Sequence, residues 1–413
     1  MKKACVVSIG NELLSGQTVD TNACWLAGRL FERGIPTAGV WTVPDQTGRI
    51  VKAIQDASRQ AELIVVTGGL GPTDDDLTRD AIAAYVGVEL VFHPELLSVI
   101  NDFFEKRGKK MADTNRSQAC IPTGARILQN PVGTAPGFWV HKDDCEIVVM
   151  PGVPAEMKRM FTDHVLPIIE QSVSAMKVVS GKLRCFGAGE SDIAQKLGDL
   201  MQRGRNPLIN CTCGSGEIIL HIVATAEDEK TARKMIDKDK AMLRERLGEL
   251  VYAEDEQSLP HVVGHLLKTR HKTIAMAESC TGGLLSQMLT DIPGASQYVL
   301  AGWVTYSNEA KISQLDISEK IISDFGVVSE PVAREMAIQA ARKSGADVSA
   351  AITGIAGPGG GTDAKPVGLV YIAVSVDGVC TVHEHRFPPM NRHWVRLRSA
   401  LAALNHIRRR LQV

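Results

Sequence analysis

Three side chains near the C-terminus stand where an acyl-transfer centre needs them: Ser279, Lys311 and Tyr306, each just beyond a strand-like run. Thr273 to Ala277 leads into Glu278-Ser279-Cys280-Thr281-Gly282-Gly283, and a helical pattern with Leu284, Leu285, Met288 and Leu289 follows. A serine at such a turn lies beside the orphan N–H groups and positive end of the helix. Gly282 and Gly283 let a ligand approach the backbone. The hydroxyl could attack a carbonyl while N–H groups hold the oxyanion, at about 3–4 kcal/mol per donor in enzymes where this is known. Taken alone, Ser279 reads as a helix cap sooner than as a nucleophile.

A nucleophilic serine needs a base, and no His-Asp pairing is suggested nearby. Val299 to Thr305 reads as a strand ending in Tyr306-Ser307-Asn308-Glu309-Ala310-Lys311. Ser307 or Asn308 suits a helix cap, which puts Lys311 in the first turn. For a lysine to act as base at neutral pH its pKa must drop by about three units, roughly 4 kcal/mol. Desolvation can supply that, and a helix N-terminus acts in the same direction. Tyr306 is five residues from Lys311, so the two do not share a helical face; Tyr306 is expected at the strand end, relaying or orienting a proton.

A third strand, Val348 to Ile352, enters Thr353-Gly354-Ile355-Ala356-Gly357-Pro358 and further glycines, a loop suited to backbone approach by a phosphate or sugar. Its spacing is neither that of a Walker loop nor of a Rossmann fingerprint. Arg392 and Arg396, four apart on an expected helix, could both reach a phosphate.

The N-terminal part repeats this design. Strand-like Val6 to Ile9, Leu63 to Thr67 and Ile147 to Met150 end in Gly10-Asn11-Glu12, Gly68-Gly69-Leu70-Gly71-Pro72-Thr73 and Pro151-Gly152-Val153-Pro154. Ligands of open α/β sheets bind outside the carboxyl ends of the strands, so three such loops mark one crevice. Asp74-Asp75-Asp76 beside the glycine loop could hold a divalent cation together with a nucleotide's phosphates, with Glu12 and Glu156 across the same opening.

The elements that must position these residues follow from pattern and composition. The 413 residues are 44% hydrophobic and 23% charged with a net charge of −1, which suits several soluble domains and gives no electrostatic reason to expect nucleic acid or membrane as partner. Nine scattered cysteines without a C-x-x-C read as reduced thiols. The N-terminus lacks the apolar stretch of a signal peptide and no apolar run approaches the roughly 18 residues of a membrane span, so a cytoplasmic protein is expected. Strands alternate with helices over residues 1–170, predicting a parallel α/β sheet. Residues 171–252 read as a small α+β module whose long helix carries Met235, Ile236, Met242, Leu243 and Leu247 on one face. A second α/β domain covers 253–413.

The C-terminal segments, Ala277 to Gly283, Val304-Thr305-Tyr306-Ser307-Asn308 with Lys311, Ala351 to Pro358 and Lys365-Pro366-Val367-Gly368, resemble the signature of the CinA C-terminal domain. That resemblance implies a nicotinamide mononucleotide deamidase that needs no cofactor. Ser279 would be nucleophile, Lys311 base, and Tyr306 and Thr353 assistants; Thr281, Gly282, Gly283, Gly354 and Gly357 would contact substrate, with Arg392 or Arg396 on its phosphate. This chain has Met390-Asn391-Arg392 where the family usually has Gly-Asp-Arg. The N-terminal loops, with Asp20-Thr21-Asn22, Asn115-Arg116 and Asn130 to Gly137, resemble the CinA N-terminal domain, itself similar to the molybdopterin-binding MoaB fold. The implied activity is a metal-dependent ADP-ribose pyrophosphatase, with Asp75, Asp76 and Glu12 toward the metal and Asn22, Gly68, Gly69, Gly71 and Thr73 toward substrate. Gly10-Asn11-Glu12 stands where Gly-Asp-Glu is usual. Phe186 to Ser191 resembles the family's KH-like connector, but Gly187-Ala188-Gly189-Glu190 lacks the basic loop that clamps RNA. Small-molecule substrates, no nucleic acid, no membrane and a homodimer are therefore expected. The alternative for the N-terminal domain is a nucleotide- or pterin-binding module without turnover.

Overall fold

A computed structural model describes residues 3–172, 176–214 and 216–412. The chain forms two compact units, residues 1–179 with 224–234, and residues 180–223 with 235–413.

In the first unit the strands are β1 (Ala4–Ile9), β2 (Thr37–Val43), β3 (Leu63–Thr67), β4 (Leu90–Phe92), β5 (Cys120–Pro122), β6 (Arg126–Leu128), β7 (Gly137–Lys142) and β8 (Cys145–Met150). Six of them form a sheet in the order β2-β1-β3-β8-β7-β6, and β4 pairs with β5 separately. The expected parallel sheet proves mixed. β2, β1, β3 and β8 are parallel, whereas β7 is antiparallel to both β8 and β6. Only Asp143 and Asp144 join β7 to β8, and a two-residue turn permits nothing but a hairpin. β1, β3 and β8 are nonetheless adjacent and parallel, so their three loops leave the same edge of the sheet. Both faces are covered, by separate apolar clusters that include Val7, Ile64 and Val149 on one side and Val6, Val65 and Val148 on the other. That explains why these strands are continuous apolar runs rather than alternating ones. Helices α1 (Thr21–Phe31), α2 (Thr78–Val86) and α3 (Pro154–Met160) carry residues back from the site edge.

The small sheet of the connector has the order β10-β11-β9-β12, from β9 (Lys177–Phe186), β10 (Leu208–Gly214), β11 (Glu217–Ala226) and β12 (Val251–Glu254). Helices α4 (Glu190–Leu197) and α5 (Glu229–Leu247) accompany it. Phe186, Tyr252 and Ala253 are buried in the same apolar core as the C-terminal sheet, so this end of the connector packs with the domain that follows it.

The C-terminal sheet has the order β14-β13-β15-β16-β17, from β13 (Ile274–Glu278), β14 (Val299–Val304), β15 (Val348–Gly354), β16 (Leu369–Val376) and β17 (Val379–Arg386). β14, β13 and β15 are parallel neighbours, and β16 and β17 continue antiparallel. Its helices include α6 (Leu284–Thr290), α7 (Asn308–Leu315), α8 (Glu330–Ser344) and α9 (Arg392–Gln412). The two units thus share one arrangement: three adjacent parallel strands that deliver three loops to one edge. Among the described residues no helix is long and apolar enough to cross a membrane.

Candidate functional site

Ser279 follows β13 directly, its N–H donating to the Ile352 carbonyl of neighbouring β15 at 2.9 Å. Lys311 lies in the first turn of α7, whose cap is Ser307; the Ser307 hydroxyl accepts from the Ala310 N–H at 3.0 Å. The lysine turns inward, is 1% exposed, and brings Nζ to 3.1 Å from Ser279 Oγ, itself 9% exposed. Nζ also donates to the Thr305 carbonyl at 2.7 Å. Among the described residues no carboxylate pairs with it there. Burial pushes its pKa down from 10.5 to about 8, opposed only by Cys280, whose thiol burial itself drives up to about 12 and keeps neutral. The structure thus brings Ser279 and Lys311 to hydrogen-bonding distance, with the lysine's charge disfavoured.

One expectation is corrected. The N-terminus of α6 is not open for an oxyanion, because the buried Glu278 carboxylate accepts from the Leu285 N–H at 3.0 Å and from the Ser286 N–H and hydroxyl at 2.8 and 2.6 Å. α6 begins five residues after Ser279, and the intervening turn is closed by Gly282 N–H donating to the Ser279 carbonyl at 3.0 Å. Donors for an oxyanion must come from that turn rather than from the helix. Thr281 lies in it with a buried hydroxyl that has no partner, as does Thr305 beside Lys311. Buried hydroxyls are seldom left so.

Tyr306 is 58% exposed, two residues past β14, and its hydroxyl accepts from Arg392 Nη2 at 2.5 Å rather than contacting the serine. Arg392 also donates to the Gly357 carbonyl at 2.8 Å, tying the loops after β14 and β15 together. Arg396, one turn on, donates through Nε and Nη2 to the Thr281 carbonyl at 3.2 and 2.6 Å. Both arginines thus border the site from α9. Thr353 is buried and donates to the Val327 carbonyl at 2.8 Å. The glycines here serve the protein's own packing more than an incoming ligand. A Cβ on Gly354 would crowd Leu369 and Val370, one on Gly357 would crowd Val367, and one on Gly282 would lie 3.3 Å from Arg396; Gly283 takes a positive φ to start α6. Lys365 donates to the carbonyls of Phe325 and Val328 at 2.8 and 2.9 Å and anchors the far end of the glycine loop.

In the first unit the expected crevice exists. A cleft of about 530 Å³ is lined by all three loops, including Gly10, Glu12, Gly68, Gly69, Gly71, Thr73, Asp75, Asp76, Gly152 and Glu156. Asn22, on α1, braces it from beside: its Nδ2 donates to the Gly152 carbonyl at 2.7 Å and to the Thr67 hydroxyl at 3.2 Å, while its Oδ1 is buried without a partner. Asp76 shapes the glycine loop, accepting from Gly71 N–H at 2.7 Å and from Thr73 N–H at 2.9 Å; the Thr73 hydroxyl lies within 2.6 Å of Asp75 and 2.5 Å of Asp76. Gly71 must lack a side chain because Asp76 folds over it, and Gly69 because Thr78 does. Buried Arg79 pins the same loop through the Leu70 and Gly71 carbonyls at 2.7 and 2.9 Å. Glu12, Asp75 and Asp76, the residues expected toward a metal, all line the cleft, and among the described residues no three His, Cys, Asp or Glu side chains converge tightly enough to hold an ion by themselves.

Asp45, just after β2, escaped the sequence reading. It lines the cleft and accepts from the Asn11 N–H at 2.9 Å, bringing a carboxylate to the very loop that carries Asn11. Burial pushes its pKa up, with the charges of Glu12, Asp75 and Asp76 acting in the same direction against the Asn11 hydrogen bond. The available signal was its position two residues past the fourth parallel strand, at the same sheet edge.

The sequence matches known families. Residues 256–411 match the CinA C-terminal domain, residues 5–171 a probable molybdopterin binding domain, and residues 180–253 the KH domain of damage-inducible protein CinA. A putative competence-damage inducible protein of Halothermothrix orenii is 44% identical over 383 residues, covering 92% of each chain. One of the same description from Clostridium perfringens is 40% identical over 411 residues and 99% of each. Among solved structures, a competence/damage inducible protein of Agrobacterium tumefaciens is 38% identical over 38% of this chain and 94% of its own, with a TM-score of 0.37.

Proposed function

The chain belongs to the CinA family, with a MoaB-like N-terminal domain, a KH connector and a CinA C-terminal domain, and from that premise we propose two hydrolytic activities. The C-terminal domain converts nicotinamide mononucleotide to nicotinic acid mononucleotide and ammonia. The N-terminal domain splits ADP-ribose into AMP and ribose 5-phosphate with a divalent metal ion.

The observation that carries the first activity is the buried Lys311 amine 3.1 Å from Ser279 Oγ, with its pKa pushed down to about 8. A neutral Nζ, oriented by its hydrogen bond to the Thr305 carbonyl, accepts the serine proton as Oγ bonds to the carboxamide carbon. The carbonyl π pair moves onto oxygen. When it returns, the C–N bond breaks and the nitrogen takes the proton from Lys311, leaving as ammonia. Water then attacks the Ser279 ester, giving its proton to Lys311, which returns it to Oγ as the nicotinate carboxyl group departs. Arg392 and Arg396, already bordering the site, are suited to the substrate phosphate. Incubation with nicotinamide mononucleotide should release ammonia, while free nicotinamide, lacking the phosphate, should be a far poorer substrate; no ammonia from the mononucleotide would refute the reading.

For the second activity the donor set is all oxygen, which suits a hard divalent cation, and the repulsion felt by Asp45 is what such a cation would relieve. Glu12, Asp45 and Asp75 would supply one or two ligands and the bound pyrophosphate the rest. The cation would neutralise charge on the phosphates; the loop glycines and Thr73 would position them. Because Asp76 is engaged within its own loop, a second reading keeps the cleft as a binding module without turnover. AMP formation from ADP-ribose with any of a panel of divalent metals supports catalysis, and tight binding without AMP supports the second reading.

A further inference from the structure

In the second unit a cavity of about 720 Å³ opens between the start of α4 and one face of α9. That is within the roughly 300–1,000 Å³ of small-ligand sites. Three aromatic rings surround one guanidinium in its wall: Arg398 Cζ is 4.9 Å from the Phe186 ring centroid, 5.6 Å from Trp394 and 5.8 Å from Phe387. Arg398 donates to the Gly216 carbonyl, and a side chain at Gly216 would collide with it. Its Nε is buried with no acceptor, and its charge is disfavoured by burial.

The other charged groups on this wall are satisfied. Glu190 accepts from the thiols of Cys211 and Cys213 at 3.5 and 3.3 Å, Asp192 from the Gly189 N–H at 3.1 Å, and Glu217 from the Tyr252 hydroxyl at 2.5 Å. Arg409 is paired with Glu249. His385 and His406 meet each other Nε2 to Nε2 at 2.9 Å, and burial keeps both neutral with pKa values of about 4 and 3. The cavity therefore holds a half-buried guanidinium whose Nε has no acceptor and whose nearest opposing charge is Glu217, a stacking wall, and a neutral imidazole pair able to exchange hydrogen bonds with hydroxyls.

We propose that this cavity is a second small-molecule site, for a planar aromatic anion of the nucleoside monophosphate class. The ring stacks among Phe186, Trp394 and Phe387, the phosphate meets Arg398, and the sugar hydroxyls face the imidazoles. Stacking and guanidinium pairing with phosphate are the interactions these groups make best. Three carboxylates on the wall disfavour a polyphosphate. Arg396, which holds the Thr281 carbonyl in the serine loop, lies two residues before Arg398 and so on a different face of α9. The inference does not depend on which reaction Ser279 performs.

Cys213 is exposed and lines the cavity; burial and Glu190 push its thiol up to about 11, so its alkylation by iodoacetamide, followed at about pH 9 by peptide mass spectrometry, reports occupancy in the full-length protein. AMP at ten times its dissociation constant should slow the reaction about tenfold. Adenosine and ribose 5-phosphate, each lacking one half of the recognised chemistry, should protect much less. Arg398→Gln and Phe186→Leu, the latter keeping an apolar side chain in the core, should each lose the protection. Ser279→Ala and Asp75→Asn, which alter the other two sites, should keep it. An alkylation rate unaffected by millimolar AMP, equal protection by ribose 5-phosphate, or protection that survives Phe186→Leu would overturn the proposal.

Discussion

The reacting pair depends on a lysine kept poor in charge, and that has consequences in solution. Lys311 is protonated in both the folded and unfolded chain below about pH 8. Between that value and 10.5 the folded protein has released a proton that the unfolded chain still binds, so stability attributable to this group rises with pH through that window. Activity must follow the same ionisation: kcat/KM for the mononucleotide should climb through an acid limb near pH 8, and a flat profile across that region would remove Lys311 as base. Lys311→Met should abolish turnover yet stabilise the fold at neutral pH by on the order of 1–3 kcal/mol, read as a higher melting temperature, because an apolar side chain replaces a desolvated ammonium. A lower melting temperature for that variant would mean the amine is structurally satisfied. This pair was legible in the sequence because each residue's position in its element fixed its surroundings: a serine after a strand, a lysine in a first turn. Tyr306 was only half legible. Its place beyond β14 followed from spacing, but its partner Arg392 lies 86 residues away, and nothing local encodes that contact.

At the scale of elements, parallel neighbouring strands explain why both sites assemble from loops far apart in sequence. Strand existence and the three-loop crevice were readable from β-branched runs ending in glycine. The antiparallel β7 was not, because a short strand such as Gly137–Lys142 carries no mark of direction and only the two-residue connection to β8 decides it. The glycine loops were read as openings for phosphate, whereas several of their glycines admit the chain's own side chains, Asp76 over Gly71 and Thr78 over Gly69. Glu278 shows the same principle in reverse: a carboxylate beside the nucleophile serves the helix behind it. Glu278→Gln exchanges a charged acceptor of two N–H groups for a neutral one and should cost about 1–2 kcal/mol of stability, measured by denaturant unfolding. Its kcat should fall more than its KM rises, since the strand-to-helix turn that aims Ser279 is what loosens. Full activity with unchanged stability would show that α6 does not need this cap.

For the whole molecule, the two units each present a complete edge of three loops, and the account treats the two chemistries as separable. Chelation of divalent metal should stop AMP formation from ADP-ribose while leaving ammonia release untouched, and re-addition of metal should restore it. Loss of both activities on chelation would contradict that separation. The KH connector's resemblance was legible from Phe186 to Ser191, but not that Phe186 and Tyr252 lie in the core of the C-terminal sheet, since an apolar residue does not announce which domain it packs against. The central claim is that Ser279 opens the carboxamide with Lys311 as its base. Ammonia release from nicotinamide mononucleotide by the full-length protein, compared between wild type and Ser279→Ala, tests it most directly. The account predicts a fall of about a thousandfold or more in kcat; release by Ser279→Ala at the wild-type rate would contradict it.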